Sequence, residues 1–122
     1  MYRLMIVDDS MIIRNKISRM PKQDRFVVVC KAENGMQAVE LCKKHMPDIV
    51  TMDLTMPQMD GLSCIEKLVK IKPDIQILVV SALADKATGI KALELGANGF
   101  LNKPFTDDEL FAALTDLMED YT

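Results

Sequence analysis

Leu4-Met5-Ile6-Val7-Asp8-Asp9-Ser10 sets the reading of the whole chain: four apolar residues in a row stop at two acids and a hydroxyl. An unbroken apolar run of that length is what a strand buried on both faces requires. Further strand-sized segments follow at Phe26 to Lys31, Ile49 to Met52, Gln76 to Val80 and Gly99 to Leu101. Between them the period changes to that of a helix. Ile13, Ile17 and Met20 share one helical face, Val39 and Cys42 another, and Leu62, Ile65, Leu68 and Val69 a third, with Arg14, Lys16, Lys43 and Lys44 outside. Leu110, Ala113, Leu114 and Leu117 keep the same spacing behind Asp107-Asp108-Glu109, an acidic start that reads as a helix cap. Asn34-Gly35, Pro57, Asp60-Gly61, Pro73-Asp74 and Gly96-Ala97-Asn98-Gly99 punctuate these elements as turns. Five βα units in this order predict an α/β fold of three layers, a doubly wound five-stranded parallel sheet with five helices.

A chain of 122 residues has room for one hydrophobic core, so residues 1–122 are expected to form one domain. Aromatic residues are only 5%, which leaves Ile, Leu, Val, Ala and the ten Met to fill that core. Most of the Met are expected at packing positions, with Met11, Met56 and Met59 as exceptions near strand ends. The formal charge of −3 is small and dispersed, which argues against a nucleic-acid partner. No apolar run approaches a membrane span, and Asp8 and Asp9 interrupt the first one before a secretory cleavage site could follow. A cytoplasmic location is expected. Cys30, Cys42 and Cys64 are odd in number with no Cys-x-x-Cys pair, which suits buried, reduced thiols. His45, the sole histidine, ends a helical segment, where a helix-terminal charge explains it better than a phosphodonor role.

Open doubly wound sheets bind ligands beyond the carboxyl ends of their strands. Asp8-Asp9-Ser10 follow the first strand, Asp53 the third, Ser81 the fourth and Lys103-Pro104 the fifth. Taken singly, Asp8, Asp9 or Ser10 could cap a helix and Lys103 could be a solvated surface lysine. Capping does not explain why such residues recur at the strand ends of different units. Three carboxylates in one cleft repel one another, so some stay protonated or a cation neutralises them. With oxygen donors and no Cys or His at hand, Mg²⁺ is the natural choice and Mn²⁺ could substitute. Mg²⁺ commonly joins carboxylates to a phosphate, and aspartate carboxylates are known to become aspartyl-phosphates. A lysine and a hydroxyl could then contact the remaining phosphoryl oxygens.

Ile6-Val7-Asp8-Asp9-Ser10, Ala32-Glu33-Asn34-Gly35, Asp53-Leu54-Thr55-Met56-Pro57 with Asp60-Gly61, Ser81-Ala82, and Gly96-Ala97 through Phe100-Leu101-Asn102-Lys103-Pro104-Phe105 form an ordered set. Together they resemble the receiver domain of bacterial two-component response regulators, especially the single-domain chemotaxis type, over nearly the whole chain. The resemblance implies a flavodoxin-like sheet of strand order 2-1-3-4-5. It implies that Asp53 accepts a phosphoryl group and that Asp9, Asp53 and the backbone carbonyl of Thr55 bind Mg²⁺, with Asp8 acting through water. It further implies that Lys103 pairs with the phosphoryl oxygens, that Ser81 moves to bond them, and that Phe100 is the switch aromatic that swings inward. The Lys103-Pro104 bond is often cis in that family. Where tyrosine is common, Phe100 lacks a hydroxyl and is expected to favour burial. Thr55 and Leu83 occupy positions that tune hydrolysis in the family, and apolar Leu83 is expected to leave the attacking water unassisted.

The implied function is a phosphoacceptor switch and not a turnover enzyme. Its phosphodonor would be a histidine kinase or histidine phosphotransfer protein. Its target would read the surface of the fourth helix, fifth strand and fifth helix, the fourth helix spanning Lys86 to Leu95, with the chain a monomer or a phosphorylation-dependent dimer. With no output segment after Thr122, the signal would pass by protein contact, unless the chain is part of a longer regulator. Two other readings share the topology. A metal-dependent phosphatase of the haloacid-dehalogenase type would need a second aspartate two residues after the nucleophile, where Thr55 stands. A flavin or nucleotide module would need glycines and free N–H groups in the first loop, which instead carries Asp8 and Asp9.

Overall fold

Strand and helix alternate through ten elements: β1 Tyr2–Val7, α1 Met11–Ser18, β2 Phe26–Ala32, α2 Gly35–His45, β3 Ile49–Met52, α3 Gly61–Ile71, β4 Gln76–Ser81, α4 Lys86–Leu95, β5 Gly99–Asn102 and α5 Asp107–Met118. The computed structural model describes residues 1–20, 25–56, 59–82 and 86–119, without the Lys86 side chain; the turn expected at Pro57 lies outside the described residues. All strand pairs are parallel and the sheet order is β2-β1-β3-β4-β5, as the resemblance implies. The central strands read as buried runs because they are covered on both sides: every residue of β3 is buried.

Successive residues of β1 feed two separate cores. Met5 and Val7 pack with Ala38, Cys42, Cys64, Ile65, Leu68 and Ala92 of α2, α3 and α4, whereas Leu4 and Ile6 pack with Ile17, Leu110, Leu114 and Met118 on the side of α1 and α5. This is the three-layer arrangement, with period-two strands distributing side chains to both faces. Strand β2 breaks that parity. Phe26 and Val28 face the α1–α5 core while Cys30 and Ala32 face the other, because a register shift opposite Leu4 and Met5 leaves Val29 unpaired. One extra residue reverses the alternation, as a bulge does.

Side-chain caps start four of the helices. Ser10 Oγ accepts from the Ile13 N–H, Asn34 Oδ1 from Gln37 and Asp60 Oδ1 from Ser63. Thr106 and Glu109 form a reciprocal capping box at α5, so the acidic start of that helix is a cap, as its sequence suggests. Met5, Met20, Met52 and Met118 are buried, but Met1, Met11, Met36 and Met46 are exposed and Met56 and Met59 are half-buried. Four of the ten Met are therefore within the core and Met56 and Met59 pack against it, so most of the Met serve the core. Met11 and Met36 lie in the first turns of their helices, where the chain has just left the sheet and no layer covers them.

Candidate functional site

Backbone bonds fix where each acid emerges. The Asp8 N–H donates to Ala32 O (3.1 Å) and the Asp53 N–H to Val7 O (3.0 Å), which extends the sheet ladder one residue beyond β1 and β3. The two carboxylates therefore project side by side from adjacent central strands, 1% and 3% exposed, while Asp9 is exposed at the rim. One carboxylate oxygen from each of Asp8, Asp9 and Asp53 can be chosen so that all lie within 4.8 Å of one another. Ser81, 1% exposed, is the last residue of β4, and its carbonyl accepts from the Lys103 N–H at 3.0 Å. The Lys103-Pro104 bond is cis.

Lys103 crosses the crevice to the acids. Its ammonium is 2.8 Å from Asp8 Oδ2 and 3.8 Å from Asp53 Oδ2. Asp8 is the more completely satisfied carboxylate, since its Oδ1 also accepts from the Ser10 N–H at 2.9 Å. Asp53 Oδ1 receives longer bonds from Thr55, 3.3 Å from its N–H and 3.4 Å from its hydroxyl. Burial, followed by repulsion from Asp8, pushes the Asp53 carboxyl above the ordinary aspartate range, partly opposed by Lys103 and the Thr55 N–H. Concentrated negative charge, oxygen-only donors and a rim open to water at Asp9 suit a hard divalent cation that keeps part of its hydration, so the residues present fit Mg²⁺.

Asp8, Asp9, Asp53, Thr55, Ser81 and Lys103 thus gather at the carboxyl edge of the sheet. Ser10 is there as the α1 cap. Leu83 lies outside the described residues. Phe100 departs from its expected burial: it is 36% exposed, on the face of β5 opposite Leu101. Its ring lies over Gly89 of α4, 3.5 Å from where a Cβ at that glycine would stand, and a residue without a side chain covers it only partly. Gly61 matters more to the site than a turn signal suggests. A Cβ there would stand 2.5 Å from both Asp53 O and Leu54 Cα, so its absence lets α3 start against the loop that carries Asp53. Two cations of α1 were also not legible as site neighbours, Arg14 on Asp8 O (2.7 Å) and Lys16 on Phe105 O.

Residues 4–115 match the family model of the response regulator receiver domain. The chemotaxis protein CheY of Bacillus subtilis (strain 168) is 41% identical over 113 residues, spanning 93% of this chain and 94% of that protein. CheY of Thermotoga maritima is 40% identical over 112 residues, 92% of this chain and 93% of that one. Among solved structures, the CheX-CheY-BeF3-Mg+2 complex from Borrelia burgdorferi matches with a TM-score of 0.91 at 28% identity, covering 96% of this chain and 89% of that chain. The response regulator domain of Thermotoga maritima CheB matches at 0.86 with 29% identity, 96% of each chain being covered. These relatives give no support to the phosphatase or the flavin and nucleotide readings. The chain belongs to the response regulator receiver domain family, as a CheY-like switch of two-component signalling.

Proposed function

We propose that Asp53 is the phosphoryl acceptor of this switch. The observation that carries the reading is the Lys103 ammonium reaching both buried acids, 2.8 Å from Asp8 and 3.8 Å from Asp53, beside a third carboxylate. A carboxylate oxygen of Asp53 forms a bond to the phosphorus of a phosphohistidine as the P–N bond breaks. The electron pair leaves with the imidazole nitrogen, which then takes a proton from solvent. Lys103 neutralises phosphoryl oxygens as charge builds on them, and burial of Asp53 keeps competing water away. Asp8, Asp9, Asp53 and the Thr55 carbonyl would hold Mg²⁺, with Asp8 contacting it through water. When bound, the cation supplies positive charge that one lysine cannot provide alone.

After transfer, the new phosphoryl oxygens attract the Ser81 hydroxyl, and the space it leaves admits Phe100 from its exposed position. That shift biases two arrangements of the face made by α4, β5 and α5, which a target protein reads. The phosphodonor is a histidine kinase or histidine phosphotransfer protein, and the domain, residues 1–122, acts in the cytoplasm and catalyses only its own phosphorylation and hydrolysis, with no nucleic-acid or membrane ligand, as a monomer or a phosphorylation-dependent dimer. No helix among the described residues is long and apolar enough to cross a membrane. Intact-mass measurement after incubation with acetyl phosphate and Mg²⁺ tests the assignment. The wild-type chain is expected to gain one phosphoryl group and Asp53→Asn none; equal uptake by the variant, at the same rate, would sink it.

A further inference from the structure

Two basic side chains on α1 reach away from their helix to carbonyl oxygens on either side of the crevice. Arg14 Nη1 donates to Asp8 O at 2.7 Å, and Nη2 lies 4.0 Å from Glu33. Lys16 donates to the carbonyl oxygen of Phe105, and its ammonium lies 4.5 Å from the centroid of the same residue's ring. A lysine in the last turn of a helix is ordinarily explained by the helix dipole. Here the ammonium instead crosses to another element, where it makes both a hydrogen bond and a cation–π contact with one residue.

That residue stands two positions after Lys103. Its ring is 4% exposed in the α1–α5 core. The intervening Pro104 has no N–H to give, and the Thr106 N–H is taken by Glu109 Oε1. Between the Lys103 amide, anchored on Ser81 O, and the first turn of α5, the turn is thus held by the buried Phe105 ring and by Lys16.

We infer that Lys16 is a positioning residue for Lys103. It bonds none of the three acids; it fixes the turn from which Lys103 reaches them, and α1 thereby sets the separation between Lys103 and the Asp8 that Arg14 holds on its other side. The inference rests on the phosphoacceptor reading. Lys16→Met keeps the aliphatic stem and removes the ammonium, so the acid cluster stays intact while Lys103 is held less closely to Asp53. The rate of Asp53 phosphorylation by acetyl phosphate at saturating Mg²⁺ is expected to fall about tenfold, the scale set by a small misplacement of a reacting group. Mg²⁺ affinity, measured by calorimetric titration without any phosphodonor, is expected to stay at the wild-type value, and Lys16→Arg is expected to recover the rate.

A wild-type rate in Lys16→Met would overturn the inference, as would a loss of rate accompanied by an equal loss of Mg²⁺ affinity, which would mark general damage. If Lys16→Met does not fold, Lys16→Gln, too short to span to Phe105 and uncharged, carries the same comparison with the same outcomes. If the wild-type chain itself takes no phosphoryl group at Asp53, the phosphoacceptor reading fails and this one with it, which separates the two failures.

Discussion

The loop leaving β3 and the strand β5 sit two places apart in one sheet and are built to opposite tolerances. Around Asp53 nothing has slack: all of β3 is buried, and Gly61 brings α3 so close that a single added carbon would stand 2.5 Å from the Asp53 carbonyl oxygen. At the other region β5 has no fully buried residue, Phe100 lies 36% exposed, and α4 presents Ile90 and Leu93 to solvent. In the proposed function, the carboxylate that meets phosphorus in line could not wander, whereas the surface that reports the event would hold two arrangements close in free energy. Tight packing and loose packing are here separate requirements met by separate strands.

Mutations can break that contrast. Ile65, fully buried between α3 and the sheet, is expected to cost about 2–5 kcal/mol as Ile65→Ala, because the cavity it leaves cannot collapse. Leu93→Ala on exposed α4 should change stability by less than about 0.5 kcal/mol in the same urea titration; a comparable loss would show the α4 face to be structural. Next come the two glycines. Gly61→Ala meets backbone atoms that cannot step aside, for an expected loss of about 1–3 kcal/mol. Gly89→Ala points the other way: its Cβ would make ordinary contact with the Phe100 ring at 3.5 Å, and a helix gains about 0.5–1 kcal/mol from the exchange. If thermal melting found both variants destabilised, the looseness assigned to the α4–β5 region would be wrong.

For Asp53→Asn in metal-free buffer the sign is the test, because burial and Asp8 repulsion raise the Asp53 carboxyl, partly offset by Lys103 and Thr55. A carboxyl raised on folding contributes stability at low pH, below its unfolded value, and loses it as pH rises through the folded one. The variant should therefore melt above wild type at neutral pH, with the gap closing as pH falls through the raised folded value toward the ordinary aspartate one. A gap that widened toward acid would reverse the sign of the Asp53 perturbation.

Much of this was legible in the chain because burial and chemistry leave different marks. Two-sided burial writes continuous apolar runs, so all five strands are located, but β1 starts two residues earlier, at Tyr2, and β2, β4 and β5 run one residue further, to Ala32, Ser81 and Asn102, because backbone pairing extends beyond the apolar run. Acids at the ends of different runs are costly unless they share a purpose, so the sequence itself groups Asp8, Asp9 and Asp53. Contacts to backbone carbonyls leave no such mark. Arg14 and Lys16 read as solvated helix positions, since nothing in their residue type shows that the acceptor is Asp8 O or Phe105 O. Nor could the Met46 φ of 46° be foreseen at the end of α2, where glycine or asparagine usually takes the left-handed turn. The exposure of Phe100 depends on how completely α4 covers β5, and pairing between distant segments is not encoded locally.

The unpaired Val29 has a further consequence, because β2 is an edge strand of the sheet. An even, unbroken β2 would offer neighbouring molecules a straight row of N–H and C=O groups, the template on which chains stack into aggregates. The bulge bends that template, and Lys31 beside it adds a charge. It also makes the first half of β2 a seal for one core and the second half a seal for the other, so the strand cannot be peeled away without wetting both. What looks like an error of register thus acts as a colloidal safeguard and as a stitch between the two halves of the molecule.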